Sequence, residues 1–446
     1  MKLSLLTVLS VVVSLILGTT HSATAQQSSY PITILSGLDR GQASVSLVWN
    51  INFENAAQER ALHVLLLTKL NAGSPALDAS ESQDFRTINS AEFLIGGSPN
   101  HLVLTLLAPH ETFDQVVDHA AEKLANKEID PKWLKRIARN FRPIPSSKVR
   151  RPENVEAELT NYILFGGDGG ATPPLTDVHQ IILQAPDQII LNSQEYSFGD
   201  VPTRLKDAFG PPTTENQALQ PHQPNPLPAG LIYVSDPEAS ETLVFLANSQ
   251  EFSTDTNQAA ADVLYKYMGY GPGSEMFRIV RQEQRASYDP RSHFTQLGNR
   301  LVLSGLSATT EAEIWQDTHQ VIEQIYRDAR NGKSTAEGLE NSKNSMLNAL
   351  IGNLRREPNW LAARYLEQYP ERPPEGAIQL GLLGASFDLE VEQLNQLAPE
   401  ALKPIDQMLT IVMGGGTEPP AELRNGNFCQ LEIGQPLSVC LDQLSD

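Results

Sequence analysis

The sequence predicts an α+β fold of two duplicated domains, each a mainly antiparallel sheet with helices packed on one side. Three observations predict it. Runs of period-2 alternation are followed by helix-period runs in both halves of the chain. The order of these runs repeats at an offset of about 199 residues: Asn100-His101-Leu102-Val103-Leu104-Thr105 returns as Asn299-Arg300-Leu301-Val302-Leu303-Ser304. Between the halves, residues 211–228 hold six prolines in eighteen positions, a semi-rigid linker composition.

The chain begins with an export signal over residues 1–25. Lys2 supplies the positive charge, Leu5 to Leu17 the apolar run, and Ala23-Thr24-Ala25 the cleavage site, so the mature chain is expected to start at Gln26 in the periplasm or outside the cell. No later stretch approaches about 18 consecutive apolar residues, so no membrane span is expected. The 446 residues are 40% hydrophobic and 19% charged, with a formal net charge of −20. That charge argues against nucleic-acid binders and anionic-membrane binders. Cys429 and Cys440 are the two cysteines. In an exported chain they are expected to form a disulfide that staples a C-terminal tail, 421–446.

The first domain, 26–210, opens with a polar leader at Gln26–Pro31. In Ser44 to Phe53, Val45, Leu47, Trp49, Ile51 and Phe53 alternate with mostly polar residues, which reads as a strand. Glu54-Asn55 breaks it and caps a helix from Ala56 to Leu70, ended by Gly73-Ser74-Pro75. Strands follow near Ala91–Ile95 and His101–Ala108, separated by Gly96-Gly97. A helix is expected over Glu111–Asn126, and Asp130-Pro131 starts another, with the proline suited to the first helical turn.

In the second domain, 229–420, Thr242–Ala247 stands in for the first strand. The helix at 56–70 falls on Thr256–Met268, and the turn at Gly73 on the cluster Gly269, Gly271 and Gly273. Two more helices fall on Glu311–Arg327 and Thr335–Leu350.

The sequence offers little familiar catalytic chemistry. It contains no G-x-S-x-G, G-x-x-x-x-G-K-[ST], H-E-x-x-H or H-x-x-E-H pattern. His110-Glu111 starts like a zinc motif, but Asp114 stands where the second histidine belongs. His63 lies in the apolar run His63-Val64-Leu65-Leu66-Leu67, a setting for a packed ring. His101, His119, His179 and His319 show no ligand spacing.

Two features stand out. Residues 132–151 carry Lys132, Lys135, Arg136, Arg139, Arg142, Lys148, Arg150 and Arg151 and no acid. This is either a solvated basic face or a surface for an acidic partner. The second feature is Arg281 with Tyr288, seven residues apart after the glycine cluster. If Phe277–Arg285 is helix and Tyr288 opens a strand, the pair sits at one corner and can hold a peptide backbone. Alternatively, Arg281 pairs with Glu283 or another acid and Tyr288 packs.

The run Gly269-Tyr270-Gly271-Pro272-Gly273-Ser274-Glu275-Met276-Phe277, then Arg281-Gln282-Glu283 and Tyr288, resembles the second domain of insulinase/pitrilysin-type peptidases, the inverted zincins. Gln282 replaces a glutamate of that pattern, and Ser334 to Lys343 resembles a later helix start of the same family. The resemblance spans about residues 40–420. It implies a duplicated fold, a zinc-binding H-x-x-E-H helix in the first domain, and an arginine–tyrosine pair that reaches a bound peptide.

This chain departs at the zinc helix. Only His63 matches, with Leu66 for the glutamate base and Leu67 for the second histidine. The later helix around Trp133–Phe141, expected to give the third ligand, has no acid. With the export signal, the resemblance therefore implies an exported, non-catalytic peptidase homologue that takes no cofactor of its own. Zinc is expected in a catalytic partner, a zinc-bearing relative, unless the chain forms a homodimer. Arg281 and Tyr288 would contact extended peptides. An assembly scaffold with no peptide role, and a hydrolase with an unusual metal site, are the alternatives.

Overall fold

The computed structural model describes residues 32–35, 41–51, 53–72, 79–98, 101–141, 144–167, 175–193, 195–210, 223–298, 300–356, 386–416, 419 and 426–445. The proposed signal and residues 211–222 of the proline-rich linker lie outside them.

In chain order the elements begin with β1 (Ile32–Leu35), β2 (Gln42–Asn50), α1 (Ala56–Ala72), α2 (Ala79–Ile88), β3 (Glu92–Ser98) and β4 (His101–Pro109). Next come α3 (Phe113–Ala125), α4 (Pro131–Asn140), α5 (Pro152–Phe165), α6 (Leu175–Leu183), β5 (Gln188–Asn192) and α7 (Val201–Phe209). Then follow β6 (Gly230–Asp236), β7 (Glu241–Glu251), α8 (Asp255–Gly269), a π-helix (Phe277–Glu283), β8 (Arg291–Gln296) and β9 (Leu301–Glu311). The chain closes with α9 (Trp315–Arg330), α10 (Ala336–Arg356), α11 (Val391–Ala401), β10 (Leu409–Gly415), β11 (Phe428–Glu432) and α12 (Ser438–Ser445).

These elements form two compact units. The first takes Met1–Arg142, Ala171–Pro221 and Leu350–Ile378; the second takes Pro143–Gly170, His222–Ala349 and Gln379–Asp446.

The first unit holds a five-stranded sheet in the order β1-β5-β2-β4-β3. Its β1–β5 pair is parallel and the other three pairs are antiparallel. The second sheet repeats this order as β6-β10-β7-β9-β8 and adds β11 beside β6. Again the β6–β10 pair is parallel, while β10–β7, β7–β9 and β8–β9 are antiparallel. The duplicated strands start at Gln42 and Glu241, Glu92 and Arg291, and His101 and Leu301. The differences, 241 − 42, 291 − 92 and 301 − 101, are about 200 residues each.

In the first unit α1 is buried on nearly every side through Ala57, Ala61, Leu62, Leu65, Leu66 and Leu70. A helix apolar all round belongs inside a core. On α3, Phe113, Val116, Val117, Ala120 and Leu124 form a single buried stripe at helical spacing. Asp130 caps α4, its carboxylate accepting from the backbone N–H of Lys132 and Trp133, with Pro131 in the first turn. A cross-strand bond of 2.7 Å joins the hydroxyls of Ser46 and Thr105 inside the sheet.

The second sheet is covered on both faces. On one face Tyr233 meets Trp315 of α9, and Asn248 donates to the Tyr265 hydroxyl of α8. Residues of opposite strand parity, among them Ile232, Val234, Leu243, Phe245, Leu303, Ile411 and Met413, form the second face's core. Val155, Leu159 and Ile163 of α5 and Leu441 and Leu444 of α12 fill it.

Two stretches thus differ from their sequence-based placement. The helix α5 falls within the expected first domain, 26–210, but packs in the second unit because its apolar stripe completes that core. The segment expected as a tail supplies an edge strand and a helix, β11 and α12. Cys429 and Cys440 join these two elements as a disulfide with Cα atoms 5.6 Å apart.

Candidate functional site

The corner from Gly269 to Tyr288 starts at the end of α8. A Cβ on Gly269 would stand 2.5 Å from the backbone nitrogen of Ser292 and 2.8 Å from the carbonyl carbon of Arg291. Glycine is therefore what lets α8 end against β8. The next turn uses Gly271 with φ +76°. Ser274 locks it, its hydroxyl donating to the Gly271 carbonyl at 2.8 Å.

Met276 and Val280 anchor the π-helix by complete burial, which leaves Arg278 and Arg281 exposed. The sequence reading expects an ordinary helix to Arg285 and a strand from Tyr288. Instead the π-helix stops at Glu283, Arg285 adopts φ +57°, and β8 starts at Arg291. Asp289 explains the delay. Its carboxylate accepts from the Thr309 backbone N–H at 3.0 Å and hydroxyl at 3.1 Å, pinning residues 287–290 to β9 before pairing begins.

This bend brings Arg281 and Tyr288 together. The Arg281 guanidinium donates through Nη1 to the Tyr288 carbonyl at 2.9 Å. Its central carbon lies 4.9 Å from the Phe277 ring centre and 5.8 Å from that of Tyr288. Tyr288 itself is 86% exposed. Glu283, the acid nearest Arg281 in sequence, is engaged elsewhere: Arg278 donates to it at 2.6 Å and to Glu275 at 2.5 Å. The hydrogen bond to Glu275 is the main reason the Arg278 pKa rises above its ordinary value. Arg281 thus keeps donors for an external acceptor, such as a carbonyl or carboxylate.

The histidines singled out in the sequence behave structurally. Burial lowers the His63 pKa, and Nε2 has no hydrogen-bond partner among the described residues. Leu66 is fully buried. The donor set for zinc does not fit here: the one imidazole on α1 is followed by leucines three and four residues on, and α4, which packs on α1, carries no acid. Leucine neither ligates zinc nor takes a proton from water. Among the described residues no group of three or more His, Cys, Asp or Glu side chains is placed to hold a metal.

His101 is buried and its pKa falls to about 4. His119 stacks on Phe85 with ring centres 3.9 Å apart. His179 lies 3.0 Å from Lys69 Nζ; burial, then the lysine charge, lowers its pKa to about 4. His110 shares the Gln42 carbonyl with the Ser193 hydroxyl. His319 lies 3.6 Å from Glu323.

Sequence reasoning missed one polar cluster. His293 Nδ1 lies 2.9 Å from Glu156 on α5, and its Nε2 lies 2.8 Å from the Ser307 hydroxyl. Thr295 also donates to Glu156. Burial opposes the Glu156 charge, yet the His293 and Thr295 hydrogen bonds outweigh it and hold the carboxyl below its usual range. Ser307 is fully buried, so the cluster ties a helix to a sheet and offers substrate no hydroxyl. Nothing local signals it, because Glu156 stands 137 residues from His293.

Two similar α+β units with the same strand order have the duplicated layout that the insulinase-type resemblance implies. Comparison with known proteins agrees. Residues 186–346 match the family model "Peptidase M16 inactive domain". The M16 inactive domain from Pseudomonas fluorescens shares the fold with TM-score 0.68 and 16% identity, over 88% of this chain and 97% of that one. A protease from Helicobacter pylori gives TM-score 0.68 and 16% identity over 86% and 97%. The periplasmic protease PqqL from Escherichia coli gives TM-score 0.62 and 13% identity, over 85% of this chain and 44% of that one. No curated protein matches the sequence. The fold is thus the insulinase-like one the sequence resemblance implies, and residues 186–346 match the inactive-domain model of that family.

Proposed function

We propose that this chain is an exported, non-catalytic insulinase-type homologue that binds extended peptides on behalf of a zinc-bearing relative. The observation that carries this reading is the Arg281–Tyr288 corner. The guanidinium is oriented by the Tyr288 carbonyl and two rings, yet it is exposed and bears no carboxylate among the described residues. The corner leads into β8, which among the described residues has a strand neighbour on one side only. An extended peptide added to such an edge gains backbone hydrogen bonds, and Arg281 would hold one of its carbonyls or carboxylates. Chemistry is assigned to the partner because the α1 helix lacks both the ligands and the general base. The Cys429–Cys440 disulfide and the likeness to a periplasmic protease support export.

The test is co-purification from the host followed by a peptide-cleavage assay on the recovered complex. The expected result is a zinc-bearing partner whose cleavage rate drops about tenfold or more with Arg281→Ala in this chain, as for loss of a charged hydrogen bond. Recovery of the chain alone, or a partner indifferent to both Arg281→Ala and Tyr288→Ala, overturns the reading. A partner that is bound but indifferent would favour the scaffold alternative.

A further inference from the structure

The basic segment that the sequence marks over 132–151 resolves into parts with different fates. Arg150 pairs with Asp236, and Arg151 is the residue before the first turn of α5. Arg142 lies outside the described residues. Lys148 is exposed on the turn before α5, off the helix. Lys132, Lys135, Arg136 and Arg139 remain on α4, all exposed and none paired with a carboxylate among the described residues.

Their spacing is i, i+3, i+4 and i+7. At 3.6 residues per turn these positions fall within an arc of about 100°. The opposite side of the helix carries Trp133, Leu134 and Ile137, of which Ile137 is buried and the others half-buried. Each cation in the stripe has like-charged neighbours three or four residues away, an arrangement that destabilises an unpartnered helix. Arg136 is additionally laid over the Trp133 ring, its Cζ 4.7 Å from the centroid. Such stacking holds a guanidinium flat and leaves its edge free for the fork-shaped bonds carboxylates accept.

We infer that the outer face of α4 is a docking site for an acidic segment of a partner polypeptide, with Arg136 as its oriented anchor. The complementarity is of charge: four cations on one helical face can bind the side-chain carboxylates of an acidic segment. The same observations disfavour a lipid surface. A membrane-binding helix turns its apolar side outward to insert it, whereas α4 turns that side inward. The inference goes beyond the peptide role of Arg281 and Tyr288 and does not depend on it. The cleavage assay above reads that role separately.

The experiment titrates the purified chain with a fluorescent oligoglutamate peptide, an oligoglutamine peptide of equal length, and vesicles of mixed phosphatidylglycerol and phosphatidylcholine. Oligoglutamate should bind and weaken steeply with added salt, while oligoglutamine and vesicles should not bind. Replacing all four cations, as Lys132→Gln, Lys135→Gln, Arg136→Gln and Arg139→Gln, should weaken binding at least about tenfold. These side chains are exposed, so circular dichroism should be unchanged. Arg136→Lys keeps the charge but loses the flat stack, and should fall between the two. Absence of oligoglutamate binding, equal binding by the fourfold variant, or preferential binding of the vesicles overturns the inference.

Discussion

Arg281 is oriented by one exposed hydrogen bond and two ring contacts, all on the surface. Arg281→Ala should therefore lower the unfolding free energy by less than about 1 kcal/mol. A urea titration that shows a larger loss would mean that the side chain serves the fold before any ligand. Gly269 is the opposite case, since an added methyl would meet the backbone of Arg291 and Ser292. Gly269→Ala should cost about 1–3 kcal/mol by overpacking, read as a lower urea midpoint. Both residues stand out in the sequence because their signals are local: a glycine cluster and an arginine seven residues before a tyrosine. The orientation of Arg281 was not legible. It depends on Asp289 finding Thr309 on the next strand, and no local pattern encodes that pairing.

At the scale of elements, α5 shows where pattern reading stops. Its stripe of Val155, Leu159 and Ile163 marks an apolar helix face, but a stripe does not name the sheet it will cover. Glu156 on the same helix helps fix that choice through His293 and Thr295. Its folded pKa is lowered, so between the folded and unfolded values the unfolded chain binds more protons and stability rises with pH. The Glu156 contribution is thus complete above the ordinary glutamate value of about 4.3 and is lost as pH falls through the lower folded value. Glu156→Gln should reduce the loss of stability on acidification across that window, measured as urea midpoints in a pH series. An equally steep acid loss in the variant would assign the effect to other carboxylates. The disulfide belongs to this scale too. Cys429 and Cys440 enclose a short loop, so their double replacement by serine should cost roughly 3 kcal/mol, with earlier thermal unfolding as the readout.

For the whole molecule, the duplication was legible because strand and helix periods recur in one order at one spacing. The strands β1, β5, β6, β10 and β11 were not assigned from sequence. They are short, and most are continuously apolar, so period-2 alternation is missing. Their partners also lie far away: β10 pairs with β6 across more than half of the second unit. The missing H-x-x-E-H pattern is a property of the sequence itself and needs no geometry. The make-up of the second unit yields a further expectation. A fragment of residues 223–446 lacks α5 and would expose Ile232, Val234, Leu243 and Phe245 of its sheet. It should aggregate or bind a hydrophobic dye, whereas 143–446 should do so less. Equal solubility of the two fragments would show that α5 is dispensable to that core.

The placement of α5 also sets a timetable for synthesis. The helix ends at Phe165, but the last strand of the sheet it covers ends at Glu432, 267 residues later (432 − 165). At ordinary translation rates of about 5–20 residues per second, this delay is on the order of ten seconds to a minute. For the first part of it α5 has no final partner, since the strands it packs on, β7 and β9, are complete only at Glu311, and until the end the core around it stays open. The nascent chain must either shelter that helix temporarily or pass it to a chaperone, and the second sheet is sealed only near the end of its manufacture.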